Sequence, residues 1–212
     1  MPGPINTLRF VHTAILSESD RIDAAASAAT GSDDLMAISD DVAFFEDLVL
    51  LHTRGEELGM FPVLAELAPH IDETYLFDHE DERATFSALR QAIADGDVTA
   101  ARRAAVVLRQ HTHSHVEKEN TLILPFVDEH LDAPEQGAMV GKILSTVPPE
   151  KMSSVVPWII NRISADDAQA YVTVLEGAMP PAVFAAAKGW IRDGVEPDTL
   201  AELTRRLPQL TS

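Results

Sequence analysis

Apolar residues recur every three or four positions through most of the chain, the spacing of helices that bury one face. Ile5, Leu8, His12, Ile15, Ser19 and Ile22 make the first seam, and the stretch from Gly31 to Asp34 ends it. A second seam opens at the cap-rich Ser39, Asp40 and Asp41. It runs through Phe44, Phe45, Leu48, Leu51, His52 and Glu56. Pro62 cannot donate to a helical ladder, so this helix is expected to kink or break near Met60–Pro62, with a further turn to Leu67. The third seam, from about Asp72 to Asp95, holds Tyr75, His79, Glu82, Phe86, Leu89 and Ile93, and Gly96 stops it. The fourth starts at a cap on Asp97 or Thr99 and reaches about His130 through Ala104, Leu108, His111, His115, Glu119, Leu122 and Phe126. The pattern predicts an all-α protein, an up-down-up-down four-helix bundle over residues 1–134. Residues 135–212, cut into short pieces by prolines, predict a small C-terminal helical extension.

The seams are not uniformly apolar. Each contains a histidine, and two repeat one phrase: His52-x-x-x-Glu56, four residues, Phe61-Pro62, and then His115-x-x-x-Glu119, four residues, Leu124-Pro125. Positions i and i+4 lie one turn apart on one helix face, so each phrase presents an imidazole beside a carboxylate. His113 and Glu117 share the spacing but lie about 200° around the helix from the seam, and should face solvent. His79 and His115 are nearly equidistant along the chain from the Gly96 turn, which puts them at one depth in an antiparallel hairpin. His70 and His130 fall at helix ends and are expected to be exposed.

Composition narrows the chemistry. There are no cysteines, so thiolate ligands, disulfides and iron–sulfur clusters are excluded. The net charge is −18. Residues 1–136 hold 9 Lys and Arg against 26 Asp and Glu, and residues 137–212 hold 7 against 8. So acidic a surface disfavours nucleic acid and anionic membranes as partners. The N-terminus lacks a basic start and an apolar core, and no stretch has the length of a membrane span, so a cytoplasmic protein is expected.

Buried imidazoles and carboxylates must pair or bind metal. The acids could pair with Arg54 or Arg83, but four histidines in four seams, two with a carboxylate one turn on, point to metal. Nitrogen and oxygen donors without sulfur suit iron, manganese or zinc. Six ligands, His12, His52, Glu56, His79, His115 and Glu119, exceed one tetrahedral zinc and suit two ions sharing the glutamates.

In order and spacing, His12, His52-x-x-x-Glu56, His79 and His115-x-x-x-Glu119 resemble the hemerythrin-type HHE cation-binding domain. The Phe-Pro and Leu-Pro that follow the two motifs are similar to bacterial members. The resemblance covers about residues 5–131. It implies a four-helix bundle holding two iron ions joined by an oxo or hydroxo bridge, with both glutamates bridging. The family's activities make the expected ligands peroxide, nitric oxide and dioxygen, with a catalase- or peroxidase-like or nitric-oxide-handling reaction in view. An oxygen or iron sensor and a reversible dioxygen carrier are the alternatives. The C-terminal extension is the expected surface for a protein partner or self-association.

One departure concerns Tyr75. Oxygen-carrying hemerythrins have H-x-x-x-H on the third helix, and this chain has Tyr75-x-x-x-His79. Two readings stand: a core tyrosine whose hydroxyl finds a hydrogen bond, or a phenolate ligand, which would favour ferric iron and oppose reversible oxygen carriage. Glu82 is either a further ligand or, as preferred here, a partner that orients a histidine, and His111 is read as a core or supporting residue.

Overall fold

A computed structural model of the chain describes residues 3–211. It is all-α, and no strand occurs among the described residues. The chain forms two compact units, residues 3–6 with 15–146, and residues 7–14 with 147–211.

The first unit is a helical bundle. Its helices are α1 (Leu8–Ala28, from Ile15 onward), α2 (Ser32–Met36), α3 (Ser39–Gly59), α4 (Phe61–Leu67), α5 (Glu73–Ala94), α6 (Val98–Lys118), α7 (Leu124–His130) and α8 (Ala133–Ser145). The seams pack as their period requires, except that Leu122 of the fourth seam is 59% exposed. Ile15, Ile22, Phe45, Leu48, Phe86, Leu89, Ile93 and Leu108 are all buried, and Phe45 meets Phe86 edge-on, with centroids 5.4 Å apart. On α3 the buried arc centres on Val42, Phe45, Leu48 and Val49, with Phe44 and Leu51 at its edge. The link between α1 and α3 contains the short helix α2, where the sequence pattern gave only an end signal.

The α5–α6 hairpin closes through Gly96, whose φ of +67° is the left-handed conformation glycine adopts without strain. Asp97 then caps α6 by accepting from the Ala100 N–H at 2.9 Å.

Pro62 acts as expected, and Pro125 acts differently. Pro62 sits in the first turn of α4, so the second seam breaks at Met60, whose N–H still donates to the Glu56 carbonyl at 2.9 Å. The fourth seam does not break. It widens into a π-helical turn, Glu119–Ile123, before α7 begins at Leu124 with Pro125 in its first turn. Such turns insert a residue without ending the helix. Glu56 thus precedes the break at Met60, and Glu119 opens the π-turn.

The charge shift at residue 136 precedes the division between units by one helix. Asp132 and Glu135 form a reciprocal capping box at the start of α8. The helix then lies on α3, where Gly55 and Gly59 face Ile143 at a separation that leaves no room for a β-carbon.

The second unit comprises α9 (Pro149–Ile160), α10 (Ala165–Ala178), α11 (Pro181–Gly194) and α12 (Pro197–Arg206), with residues 7–14 of α1. Trp158, Ile160, Tyr171, Phe184 and Ile191 are buried, and Phe10 packs on Tyr171 with centroids 5.8 Å apart. Ser164 caps α10 through the Asp167 N–H. No described helix is long and apolar enough to cross a membrane.

Candidate metal centre

Four polar side chains from α3, α5, α6 and the π-turn converge in the first unit. Glu56, His79 and Glu119 have no solvent exposure and His115 has 3%. Each offers one ligand-type atom, and these atoms lie within 4.8 Å of one another. His79 and His115 face each other with their Nε2 atoms 3.3 Å apart, at one depth in the hairpin as the sequence predicts. Glu56 lies 3.4 Å from His79 Nε2, and Glu119 3.4 Å from His115 Nε2.

A second grouping of the same kind contains His52, Glu56 and Glu119. His52 Nε2 lies 3.1 Å from Glu56 Oε1, one helical turn along α3. His12 is buried, on the turn of the unbroken helix α1 just before Ile15. Glu56 and Glu119 belong to both groupings.

The reverse sides of two rings are also held. His79 Nδ1 donates to Glu57 at 2.9 Å, and Arg83 donates to the same carboxylate oxygen at 2.5 Å. His115 Nδ1 donates to Asp78 at 3.2 Å, and Lys118 donates to that same oxygen. An ionised carboxylate only accepts, so each of these rings carries its proton on Nδ1 and turns Nε2 inward. Burial alone would push the Glu57 and Asp78 carboxyls up. Hydrogen bonds from Arg83 and His79 hold Glu57 below its ordinary value, and those from His115 and Lys118 do the same for Asp78. These two carboxylates were not singled out in the sequence. The available signal is adjacency, since Glu57 follows Glu56 and Asp78 precedes His79.

The acids facing inward behave in the opposite way. Burial, and next the nearby Glu56 and Glu82 carboxylates, push Glu119 well above the ordinary range. Burial likewise raises Glu82, against the lowering effect of His115 and His79. His79 is lowered by burial but raised more by Glu56 and Glu57, so its net shift is upward. Acids crowded together out of water, with imidazole nitrogens turned towards them, are a donor set that a cation stabilises. The residues fit a metal on that ground.

Around this core, Phe61 stacks on His79 with centroids 5.5 Å apart, and Tyr75 meets His115 edge-on at 6.0 Å. Tyr75 is 4% exposed, and burial, then Glu119 and Asp78, push its phenol up to about 12. Lys118 lies over its ring, 5.5 Å from the centroid. Glu82 is buried outside both groupings, and the carboxylates that meet the Nδ1 atoms of His79 and His115 are Glu57 and Asp78. His111 sits beside the Thr85 hydroxyl at 3.4 Å and belongs to neither grouping. Arg83 pairs with Glu57, leaving Glu56 to the imidazoles. His113 is half-exposed and pairs with Asp20, and His70 is exposed beside Glu73.

The family model for the hemerythrin HHE cation binding domain matches residues 3–127. The chain belongs to that family. Among curated proteins, the hemerythrin domain here is similar to "Zinc finger protein BRUTUS" of Arabidopsis thaliana, at 25% identity over 165 residues. The match takes in 74% of this chain and 13% of that protein, so the chain spans a small fraction of its relative's length. No solved structure matches significantly. An HHE domain binds cations, and the His and Glu groupings are where this one could hold them.

Proposed function

We propose that this hemerythrin domain is a non-haem di-iron protein that binds and reacts with small oxidants: peroxide, nitric oxide and dioxygen. The observation that carries this reading is the membership of Glu56 and Glu119 in both ligand groupings. Two carboxylates common to two sets of imidazoles suit two ions that share them. The ligand set is His12, His52, Glu56, His79, His115 and Glu119, with Tyr75 as the phenolate that departs from the oxygen carriers. Iron held there supplies coordination of the oxidant and electrons for its reduction.

The chain's own residues do the rest. Glu56 and Glu119 offset the charge of the cations in a place water does not reach. Glu57 and Asp78 fix which nitrogen each ring presents. Phe61 and Tyr75 wall the pair of histidines with aromatic surface. The test is to measure iron in the purified protein and follow its absorption on mixing with hydrogen peroxide or nitric oxide. Spectral change with turnover supports the reading, and iron inert to both defeats it.

One observation favours a second reading, a sensor. Residues 147–211 form a compact unit with residues 7–14, separate from the unit that holds Glu56, His79, His115 and Glu119, as a segment that reads out the state of a centre would be. If so, metal removal changes the protease sensitivity of residues 147–211, and an unchanged digest removes the sensor reading.

A further inference from the structure

The supports behind His79 and His115 are built alike. His79 on α5 is held by Glu57 of α3, and that carboxylate is gripped by Arg83, one turn after His79 on α5. His115 on α6 is held by Asp78 of α5, and that carboxylate is gripped by Lys118, one turn after His115 on α6. In both, a histidine and a cation on one helix clasp a carboxylate of the neighbouring helix. In both, the carboxylate is the chain neighbour of another inward-facing residue: Glu57 of Glu56, and Asp78 of His79. The clasps therefore join the four cluster residues in series: Glu56 to its neighbour Glu57, across to His79, to its neighbour Asp78, across to His115, and one turn on to Glu119.

We infer that Glu57–Arg83 and Asp78–Lys118 are paired positioning clasps that preset Nε2 of His79 and His115 for metal and so set its affinity. The inference rests on the reading of those histidines as ligands. Its physical basis is threefold. An ionised carboxylate on Nδ1 fixes the tautomer and raises the basicity of the other nitrogen. The cation holds that carboxylate stationary against the ring, although Glu57 and Asp78 are about one-quarter exposed. The seriate connection means that displacing Asp78 loosens His115 directly and His79 through the backbone.

The clasps differ in one respect that gives a specific expectation. Arg83 is planar and has several donors, whereas Lys118 is a single ammonium that also lies over Tyr75. The Asp78 clasp therefore meets the aromatic wall through its cation, whereas the Glu57 clasp meets it through its histidine, stacked on Phe61.

The test uses the full chain, stripped of metal and titrated with cobalt(II), whose visible bands report the ligand field. Thermal unfolding of each metal-free variant serves as the folding control. Asp78→Asn and Glu57→Gln are expected to bind about 10- to 100-fold more weakly with altered bands, while unfolding near the wild-type temperature. Lys118→Met should weaken binding less. The double variant Asp78→Asn/Lys118→Met should bind no worse than Asp78→Asn alone, because the lysine acts through the aspartate. Asp78→Glu should recover part of the affinity. Wild-type protein that takes up cobalt while the clasp variants match it in affinity and spectrum overturns this inference alone. Wild-type protein that takes up no cobalt overturns the ligand reading and this inference together.

Discussion

Glu56 and Glu119 come from different helices, yet offer carboxylate oxygens within 4.8 Å of one another, both shielded completely from solvent. Without a cation, burial and the neighbouring Glu56 carboxylate favour the protonated form of Glu119. Its neutral isostere keeps that uncharged state. Metal-free Glu119→Gln is expected to unfold at or above the wild-type temperature, and to lose the stabilisation that metal gives the wild type. Calorimetry with and without metal checks both parts. A metal-free variant well below wild type would mean that the glutamate is stabilised by the protein alone.

Tyr75 offers a spectroscopic test. Its phenol is pushed up to about 12 in the protein alone, so at neutral pH it is protonated unless a cation draws the proton off. Iron bound to it would show a visible phenolate-to-iron charge-transfer band. The band is expected in the ferric wild type and absent in Tyr75→Phe, with fold stability changed by no more than about 1.5 kcal/mol. An identical spectrum in the variant makes Tyr75 a wall residue only.

Gly59 and Gly141 predict opposite signs for one substitution. A β-carbon on Gly59 would stand 2.8 Å from both the backbone N and a side-chain carbon of Ile143. The backbone of α8 cannot yield without unpacking, so Gly59→Ala is expected to destabilise by about 1–3 kcal/mol. Gly141 lies exposed inside α8 with nothing within 4 Å of its would-be β-carbon. Gly141→Ala is expected to stabilise by about 0.5–1 kcal/mol, as alanine restricts the unfolded chain. Denaturant melts of both variants decide the matter.

These cases show which parts of the molecule were legible in advance. The seams carried the helices because burial of one face imposes a 3.6-residue period, and His52, Glu56, His79, His115 and Glu119 could be read because they interrupt that period at buried positions. Gly96 and Pro62 act over one or two residues, so their effects were also local and readable. The π-turn at Glu119–Ile123 was not, because Pro125 can end a helix or widen it, and tertiary packing chooses. Glu57 and Asp78 lie off the seams, where acidic residues are abundant in this chain, and only the approach of a neighbouring helix gives them their histidines. The packing of α8 on α3 depends on close approach at Gly55 and Gly59, which periodicity does not encode.

On α12, Glu202 is held between Arg205 and Arg206 at 2.6 Å from each, and its carboxyl is lowered to about 2, first by the hydrogen bond from Arg205 and then by that from Arg206. A lowered folded value means the contribution is present above the ordinary value of 4.5 and is lost as pH falls towards 2. The site is exposed, so salt should weaken the effect. A carboxyl titration followed by NMR at low salt is expected to show Glu202 titrating near 2, moving upward in high salt. A midpoint near 4.5 at low salt would show that the arginines do not hold it.

The most direct measurement is the metal content of the purified chain, per polypeptide, for the wild type and for Glu56→Gln and Glu119→Gln. Two shared carboxylates predict two iron ions in the wild type, with both ions depleted by either substitution. A wild type holding no metal or a single ion, or a variant that keeps two, would contradict a centre built on Glu56 and Glu119.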